Sequence, residues 1–487
     1  MDWMHILRQI ATEELLSVAG LILLLAAAWG GDKASRAITW AAVATLALAA
    51  MLQAPVLCSG ASGAATQLFG GQLRADAFAA FTKLLTYAAS IAALLVAPAF
   101  FERAKAMRAE YPVLVLFAAL GMGIMVSATD LIALYIGLEM NSLAAYVLAA
   151  FLRTDERSAE AGLKYFVLGA LASGILLFGM SLVYGFAGTT SFDGIHAATA
   201  SGMSMGMVVA VTFVLAGLAF KISAVPFHMW TPDVYEGAPT PVTLFFASAP
   251  KVAALALTMR VALDAFGAQV HVWQQIVIFA ALASIIIGAL GAIGQNNIKR
   301  LLAYSSINNV GFILIGLAAA TPAGAAGMLT YLAIYVAMTV AGFVAVLMLK
   351  DENGDPVEAI SDLAGLSRDR RVLSLCIAMV MFSLAGIPPL FGFWGKFVVF
   401  QAAVQAGMIW LSALGIAASV IGAFYYLKVV KVIYFDEPVG KALGKSDWVH
   451  QVILLVCCLF ISPLGYLLTP WLAELTAKAT TALFHVI

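Results

Sequence analysis

Apolar runs long enough to cross a bilayer, about 20 residues each, follow one another along almost the whole chain. Fourteen can be read, near 12–29, 37–57, 77–100, 111–127, 129–152, 160–187, 204–231, 240–263, 272–293, 299–318, 323–349, 372–402, 407–435 and 448–468. With 63% hydrophobic and 11% charged residues, the chain carries more apolar surface than one aqueous core can use. The expected fold class is all-α, a polytopic membrane protein of about 14 transmembrane helices. Its tightest connection is Ser127 to Asp130, between the fourth and fifth spans, and an amphipathic tail runs from Trp471 to Ile487.

The 26 basic and 26 acidic residues cancel, so neither nucleic acid nor a polybasic membrane anchor is implied. Cys58, Cys376, Cys457 and Cys458 lack CxxC or Cys/His spacing and read as small core residues. No GxGxxG follows a strand, and there is no Walker A loop, HExxH or GxSxG. No redox centre or nucleotide is therefore expected in this chain. The N-terminus has acidic residues in place of a cationic n-region, so the first span is expected to be retained.

Lysine and arginine divide unequally between the loops. Sixteen fall after odd-numbered spans, from Lys33 to Lys445, against Arg8, Arg74, Arg260 and Lys478 on the other side. By the positive-inside rule the odd loops are cytoplasmic and both termini periplasmic. The remaining six lie within spans. Of these, Lys83 and Lys428 sit near span ends and read as snorkelling.

The other in-span charges are Glu139, Lys164, Lys221, Lys251 and Lys396. A charge at the bilayer centre costs at least roughly 2.5–3.5 kcal/mol on insertion scales, which makes such residues candidates for ion or proton movement. Lys221 is deep in the seventh span, five residues before Pro226. Burial disfavours the charged form of a lysine and a nearby carboxylate favours it, so a lysine with a movable carboxylate partner can load and release a proton. Glu139, alone in the middle of the fifth span, is the expected partner of Lys221. Lys164 is only a turn inside its span, where snorkelling competes with a functional role.

Ala224 to Trp230 and Gly386 to Trp394 echo one another, each with a mid-span proline followed by Phe-x-x-Trp. The two copies lie five spans apart, an odd number, so their helices cross in opposite senses. That is the pattern of an inverted repeat with proline-broken helices at the midplane. His228, beside the first break, is a candidate proton relay, against the competing reading of a structural histidine. Lys299 and Arg300 are explained by the positive-inside rule. The Ser305-Ser306 and Asn308-Asn309 pairs hold water or pack helices.

The stretches KISAVPFHMWTPDVYEGAPTPVTLFFASAPKVAA, GQNNIKRLLAYSSINNVGF and SLAGIPPLFGFWGKF resemble signature segments of the antiporter-like subunits of respiratory complex I, a family related to subunits of multi-component cation/proton antiporters. The resemblance covers roughly residues 115 to 435. It implies a three-helix segment over 1–110, five-helix repeats over 111–266 and 267–440, and a final helix and tail over 441–487. It also implies a proton path through Glu139, Lys221, Lys251 and Lys396, with Lys164 bridging toward a neighbouring subunit. The implied activity is proton translocation coupled to NADH-quinone oxidoreduction, in a bacterial inner membrane. NADH, FMN, iron-sulfur clusters and quinone would bind in partner chains, among which an M-type antiporter-like subunit and small membrane subunits are expected. Lysine at 396 and a short C-terminus fit the N type of the family. A subunit of a multi-component Na+/H+ antiporter is the alternative, and a purely structural scaffold leaves the buried lysines unexplained.

Overall fold

The computed structural model describes residues 9–58 and 66–484. Arg8 and the side chain of Cys58 lie outside the described residues. Helices dominate: α1 (Ala11–Gly30), α2 (Ser35–Cys58), α3 (Ala77–Arg103), α4 (Glu110–Ser127), α5 (Leu131–Ala149), α6 (Glu156–Ala187), α7 (Phe192–Thr199), α8 (Met205–Ile222), α9 (Trp230–Gly237) and α10 (Thr240–Arg260). They continue as α11 (Val270–Ile293), α12 (Ile298–Ala318), α13 (Pro322–Met348), α14 (Arg371–Ala385), α15 (Phe391–Gln405), α16 (Ile409–Phe435), α17 (Trp448–Ile461) and α18 (Thr469–Thr480). A short antiparallel hairpin, β1 (Thr66–Leu68) with β2 (Leu73–Ala75), precedes α3 and was not expected from the sequence.

Among the described residues, eleven helices are long and apolar enough to cross a membrane, or twelve if α17 and the segment after it, bent by 64°, form one span. The sequence reading of fourteen differs from this at two places. The first two runs correspond to α1 and α2, which meet at the 3-10 turn Gly31–Ala34, pack on each other and enter the count of eleven as one stretch. The twelfth run is broken at its prolines into α14 and α15, of 15 residues each. The tight connection at Ser127 to Asp130 is real: Asp130 caps α5, its carboxylate accepting from the amides of Ile132 and Ala133.

Helices α10, α12 and α13 form the centre and are buried on nearly all sides. The hairpin α4–α5 packs against α10, and α11 packs against α12. Close approach within α4–α5 depends on two glycines: a Cβ on Gly121 would meet the Gly137 carbonyl oxygen at 2.7 Å, and one on Gly137 would meet the Gly121 carbonyl oxygen at 2.9 Å. Each broken element lies against the helix before it, α8 on α6, and α14 and α15 on α13. Helix α18, part of the expected amphipathic tail, packs back onto α13 and α3 through Leu472, Leu475 and Ala479.

Candidate functional site

Two helix breaks organise the interior. In the first, α8 ends where Ser223 takes a left-handed conformation, φ 62°. Pro226 follows, lacking the amide a continuing helix would need. The loop is fastened by polar bonds: Val225 N donates to Ser284 Oγ at 2.9 Å, Thr231 Oγ1 to Ser223 Oγ at 2.7 Å, and Trp230 Nε1 to the Phe220 carbonyl at 3.0 Å. Trp230 in turn stacks on Tyr165, ring centres 4.4 Å apart.

Breaking a helix leaves its last carbonyls without amide partners. Lys251, 1% exposed and one residue past Pro250 in α10, donates from Nζ to one of them, the Ile222 carbonyl, at 2.9 Å. Its ammonium also lies 5.9 Å from the Trp230 ring centre and 6.0 Å from that of Tyr235. The second break repeats the device. There α14 ends at Ala385, Gly386 is left-handed at φ 80° as the C-cap, and Lys396 donates to the Ala385 carbonyl at 3.0 Å and to Ser419 Oγ at 3.3 Å. Phe312 faces this lysine at 4.3 Å. In both places a cation occupies the negative end of a helix dipole.

Lys221, in the last turn of α8, does not ion-pair directly with Glu139, contrary to expectation. Its Nζ donates to Ser142 Oγ at 2.7 Å and to Tyr146 OH at 3.5 Å. Glu139 instead accepts from Ser173 Oγ of α6. Glu139, Ser142 and Tyr146 recur at three- and four-residue spacing, so they form one polar stripe along α5. A hydroxyl therefore takes the place expected for the carboxylate. His228 is half-buried in the first break and makes no hydrogen bond to Lys221 or Lys251.

Lys164 is part-exposed and pairs with Glu160 at 2.6 Å and with Asp233 of α9 at 2.9 Å. Asp233 also holds Arg300 at 2.7 Å, and Arg300 reaches Glu236 at 2.9 Å. Lys299 donates to the Glu236 and Ala238 carbonyls at 2.8 Å each and lies 3.4 Å from Glu358. Lys299 and Arg300 thus tie the start of α12 to α9, a role their loop position did not reveal.

Sequence reasoning missed the buried hydroxyl groups between the breaks. Ser305 Oγ and Tyr426 OH are 2.5 Å apart, Asn309 donates to Tyr426 OH at 3.2 Å, and Tyr331 OH donates to Asn309 Oδ1 at 2.7 Å. Tyr335 OH donates to Ser306 Oγ at 2.8 Å, and Tyr331 packs against Gly395, next to Lys396. Ser305, Ser306 and Asn309 were legible as polar residues, but their tyrosine partners were hidden among ordinary aromatic residues.

Three charges assigned by the sequence to loops or span ends are interior. Lys83 is 3% exposed and ion-pairs with Glu13 of α1, Nζ lying 2.5 Å from Oε1, so it does not snorkel. Arg260, fully buried at the end of α10, is held by both Asp76 oxygens at 2.9 Å. Arg74 joins Asp264 at 2.9 Å and Asp193 at 3.0 Å, and it ties the hairpin to this cluster. Lys428 is part-buried, its Nζ 3.5 Å from the Ile293 carbonyl and 3.4 Å from that of Gln295. Among the described residues no group of three or more His, Cys, Asp or Glu is placed to hold a metal ion. Cys376 and Cys458 are buried free thiols, and Cys457 is a part-buried one.

Residues 128–422 match the sequence profile of a family described as NADH:quinone oxidoreductase/Mrp antiporter, TM. NADH-quinone oxidoreductase subunit N of Erythrobacter litoralis strain HTCC2594 is 67% identical over 475 residues, 98% of each chain. The subunit N of Sphingopyxis alaskensis is 58% identical, covering 97% of this chain and 98% of its own. A chain of respiratory complex I from Thermus thermophilus superposes with a TM-score of 0.80 at 31% identity, covering 96% of this chain and 99% of that one. A chain of the Mrp complex from Dietzia sp. DQ12-45-1b shares the fold, with a TM-score of 0.84 at 22% identity over 99% of this chain and 98% of that one.

Proposed function

We propose that this chain, which belongs to the NADH:quinone oxidoreductase/Mrp antiporter transmembrane family, moves protons as subunit N of a bacterial respiratory complex I. The observation that carries this reading is the paired device at the helix breaks, where Lys251 donates to Ile222 and Lys396 to Ala385. Lysine is suited to the task because its ammonium has three donors, and because burial brings its charged and neutral forms close in free energy. A helix-end carbonyl stabilises the ammonium without fixing it as a permanent countercharge would.

In this reading Glu139, Lys221, Lys251 and Lys396 carry the proton along the membrane midplane, with Ser142 and Tyr146 linking α5 to Lys221 and with the Ser305–Tyr426–Asn309–Tyr331 group leading toward Lys396. Lys164, held by Asp233, bridges toward the neighbouring subunit. His228 serves as a proton relay beside the first break. The units 111–266 and 267–440 act as inverted repeats, which places equivalent breaks in opposite orientation. NADH, FMN, iron-sulfur clusters and quinone bind in partner subunits. Those partners include an antiporter-like M subunit and small membrane subunits. The complex sits in the bacterial inner membrane, with both termini of this chain periplasmic.

A subunit of a multi-component Na+/H+ antiporter is the second reading, and it rests on the fold shared with the Mrp chain. Similarity to subunit N over nearly the whole chain favours complex I. The deciding experiment is purification of the chain with its natural partners, followed by reconstitution into vesicles. NADH-driven proton uptake that Lys396→Ala abolishes supports the first reading. Sodium-dependent proton exchange without NADH-quinone activity overturns it.

A further inference from the structure

The first helix break is fastened from outside its own bundle. Val225, in the loop between α8 and α9, donates its amide to Ser284 Oγ at 2.9 Å. Ser284 is fully buried in α11, and in the reading above α11 belongs to the other five-helix unit. A buried amide left without an acceptor is costly, so the loop keeps the shape that Ser284 allows. Ile222, whose carbonyl receives Lys251, lies three residues before Val225, and Lys221 precedes it. One hydroxyl thus bears on the surroundings of two candidate carriers.

Helix α11 carries the link onward. The carbonyl of Ile285, the residue after Ser284, accepts from Asn308 Nδ2 of α12 at 2.7 Å. Asn309, next in the chain, bonds Tyr426 and Tyr331, and Tyr331 packs against Gly395 beside Lys396. Close packing keeps α11 and α12 from sliding past one another here: a Cβ on Gly288 would meet the Asn308 amide nitrogen at 2.6 Å, and one on Gly311 would meet the Ala281 carbonyl oxygen at 2.6 Å. Contacts this tight move as a block or switch between discrete arrangements rather than deform smoothly. A displacement of the loop at Val225 therefore reaches Asn308.

We propose that Ser284 is a positioning residue that couples the two helix breaks: it holds the Ile222 carbonyl in place for Lys251 and, through Ile285 and Asn308, ties that loop to the hydroxyl group beside Lys396. This rests on the proton-transfer reading of the buried lysines. Ser284 bonds none of those lysines itself. Its hydroxyl suits the task because it accepts the amide from outside the hydrogen-bond ladder of its own helix, so the contact can form and break while α11 stays intact. A serine that only satisfied the amide would affect stability without any connection to Asn308.

The test uses the intact complex. Ser284→Ala, Asn308→Ala and the double variant are compared for NADH-quinone turnover and proton uptake in vesicles, with Ser158→Ala as control, since Ser158 bonds the Ala149 carbonyl at the α5–α6 turn. Each single variant should lose turnover and uptake several-fold, and the double variant should be no worse than the poorer single, because two cuts in one link are not additive. Ser284→Thr, which keeps the hydroxyl, should restore what alanine loses. Hydrogen exchange followed by mass spectrometry is the second arm: Asn308→Ala should speed exchange around Val225 and Ser284→Ala should speed it around Asn308, while Ser158→Ala changes neither. Should Ser284→Ala not assemble, the response around Val225 in Asn308→Ala decides alone. Losses that multiply in the double variant, or exchange that rises only on the altered side of α11, overturn the proposal. The exchange arm needs no proton movement, so the link and the carrier reading can fail separately.

Discussion

Lys251 Nζ donates at 2.9 Å to the carbonyl of Ile222, the last residue of α8. The lysine on α10 therefore completes a helix end that the break before Pro226 leaves open, and it does so one residue from Lys221. This contact sets the Lys251 ammonium against the backbone next in the chain to Lys221, with no acidic residue among Lys251's direct partners.

Lys251→Met removes the donor and leaves a buried carbonyl unsatisfied, at a cost of about 1–3 kcal/mol. The complex should still assemble with a slightly lowered melting temperature while proton pumping in vesicles falls to near background. Lys251→Arg restores a donor that is effectively never deprotonated, so stability should recover and pumping should not. Normal pumping by an assembled Lys251→Arg complex would reduce the residue to an electrostatic fixture.

Glu139→Gln keeps an acceptor for Ser173 but removes the charge on the α5 stripe. Coupled NADH-quinone turnover and pumping should both drop while assembly on native gels is unchanged. Ser142→Ala, which cuts the 2.7 Å bond to Lys221, should give a milder loss of the same kind. If Ser142→Ala proves silent while Glu139→Gln is severe, the carboxylate reaches Lys221 by another route.

Lys83 and Glu13 form an interior pair, and removal of one member of such a pair is destabilising by about 3–5 kcal/mol. Lys83→Met should lower the thermal stability of the purified complex markedly, and Lys83→Met/Glu13→Leu should recover part of the loss. Thermal denaturation followed by tryptophan fluorescence distinguishes this from a surface lysine, whose replacement would shift the midpoint hardly at all.

Gly137→Val forces a branched side chain against the Gly121 carbonyl. Separation of α4 from α5 would displace Glu139 and Ser142, so both the amount of assembled complex and its turnover should fall. Gly174→Val, at a helix position with open space beside the glycine, is the contrasting substitution and should leave both close to wild type.

The loop charges predict that both chain ends face the periplasm. Alkaline phosphatase fused after Ile487 should be active and a fluorescent protein that matures only in the cytoplasm should stay dark. The opposite pattern would invert the whole arrangement.

Much of the molecule was legible because bilayer solvation acts on local composition. Apolar run length located the membrane helices, and the placement of Pro226 and Pro388 located both breaks, since proline removes an amide wherever it stands. Lys221, Lys251 and Lys396 were conspicuous for the same reason: a charge in an apolar run has a cost that sequence alone reveals. The sequence could not settle how many separate spans result. That depends on whether the 15-residue pieces α14 and α15 together cross the membrane, and on whether α17 does so with the segment bent by 64° from it.

Only the tertiary structure decided the partners. Lys221 and Glu139 looked complementary as the deep charges of their spans, yet a hydroxyl from Ser142 serves the lysine and Ser173 serves the carboxylate. Lys83 looked shallow by its distance from a span end, but packing of α1 against its neighbours encloses it with Glu13. Arg260 looked like a loop cation until Asp76 and Asp264, one of them 184 positions away in sequence, were folded around it. The physical reason is common to these cases. Insertion cost depends on each residue and its near neighbours along the chain, whereas ion pairing depends on which helix faces meet, and that is fixed only when all the helices pack together.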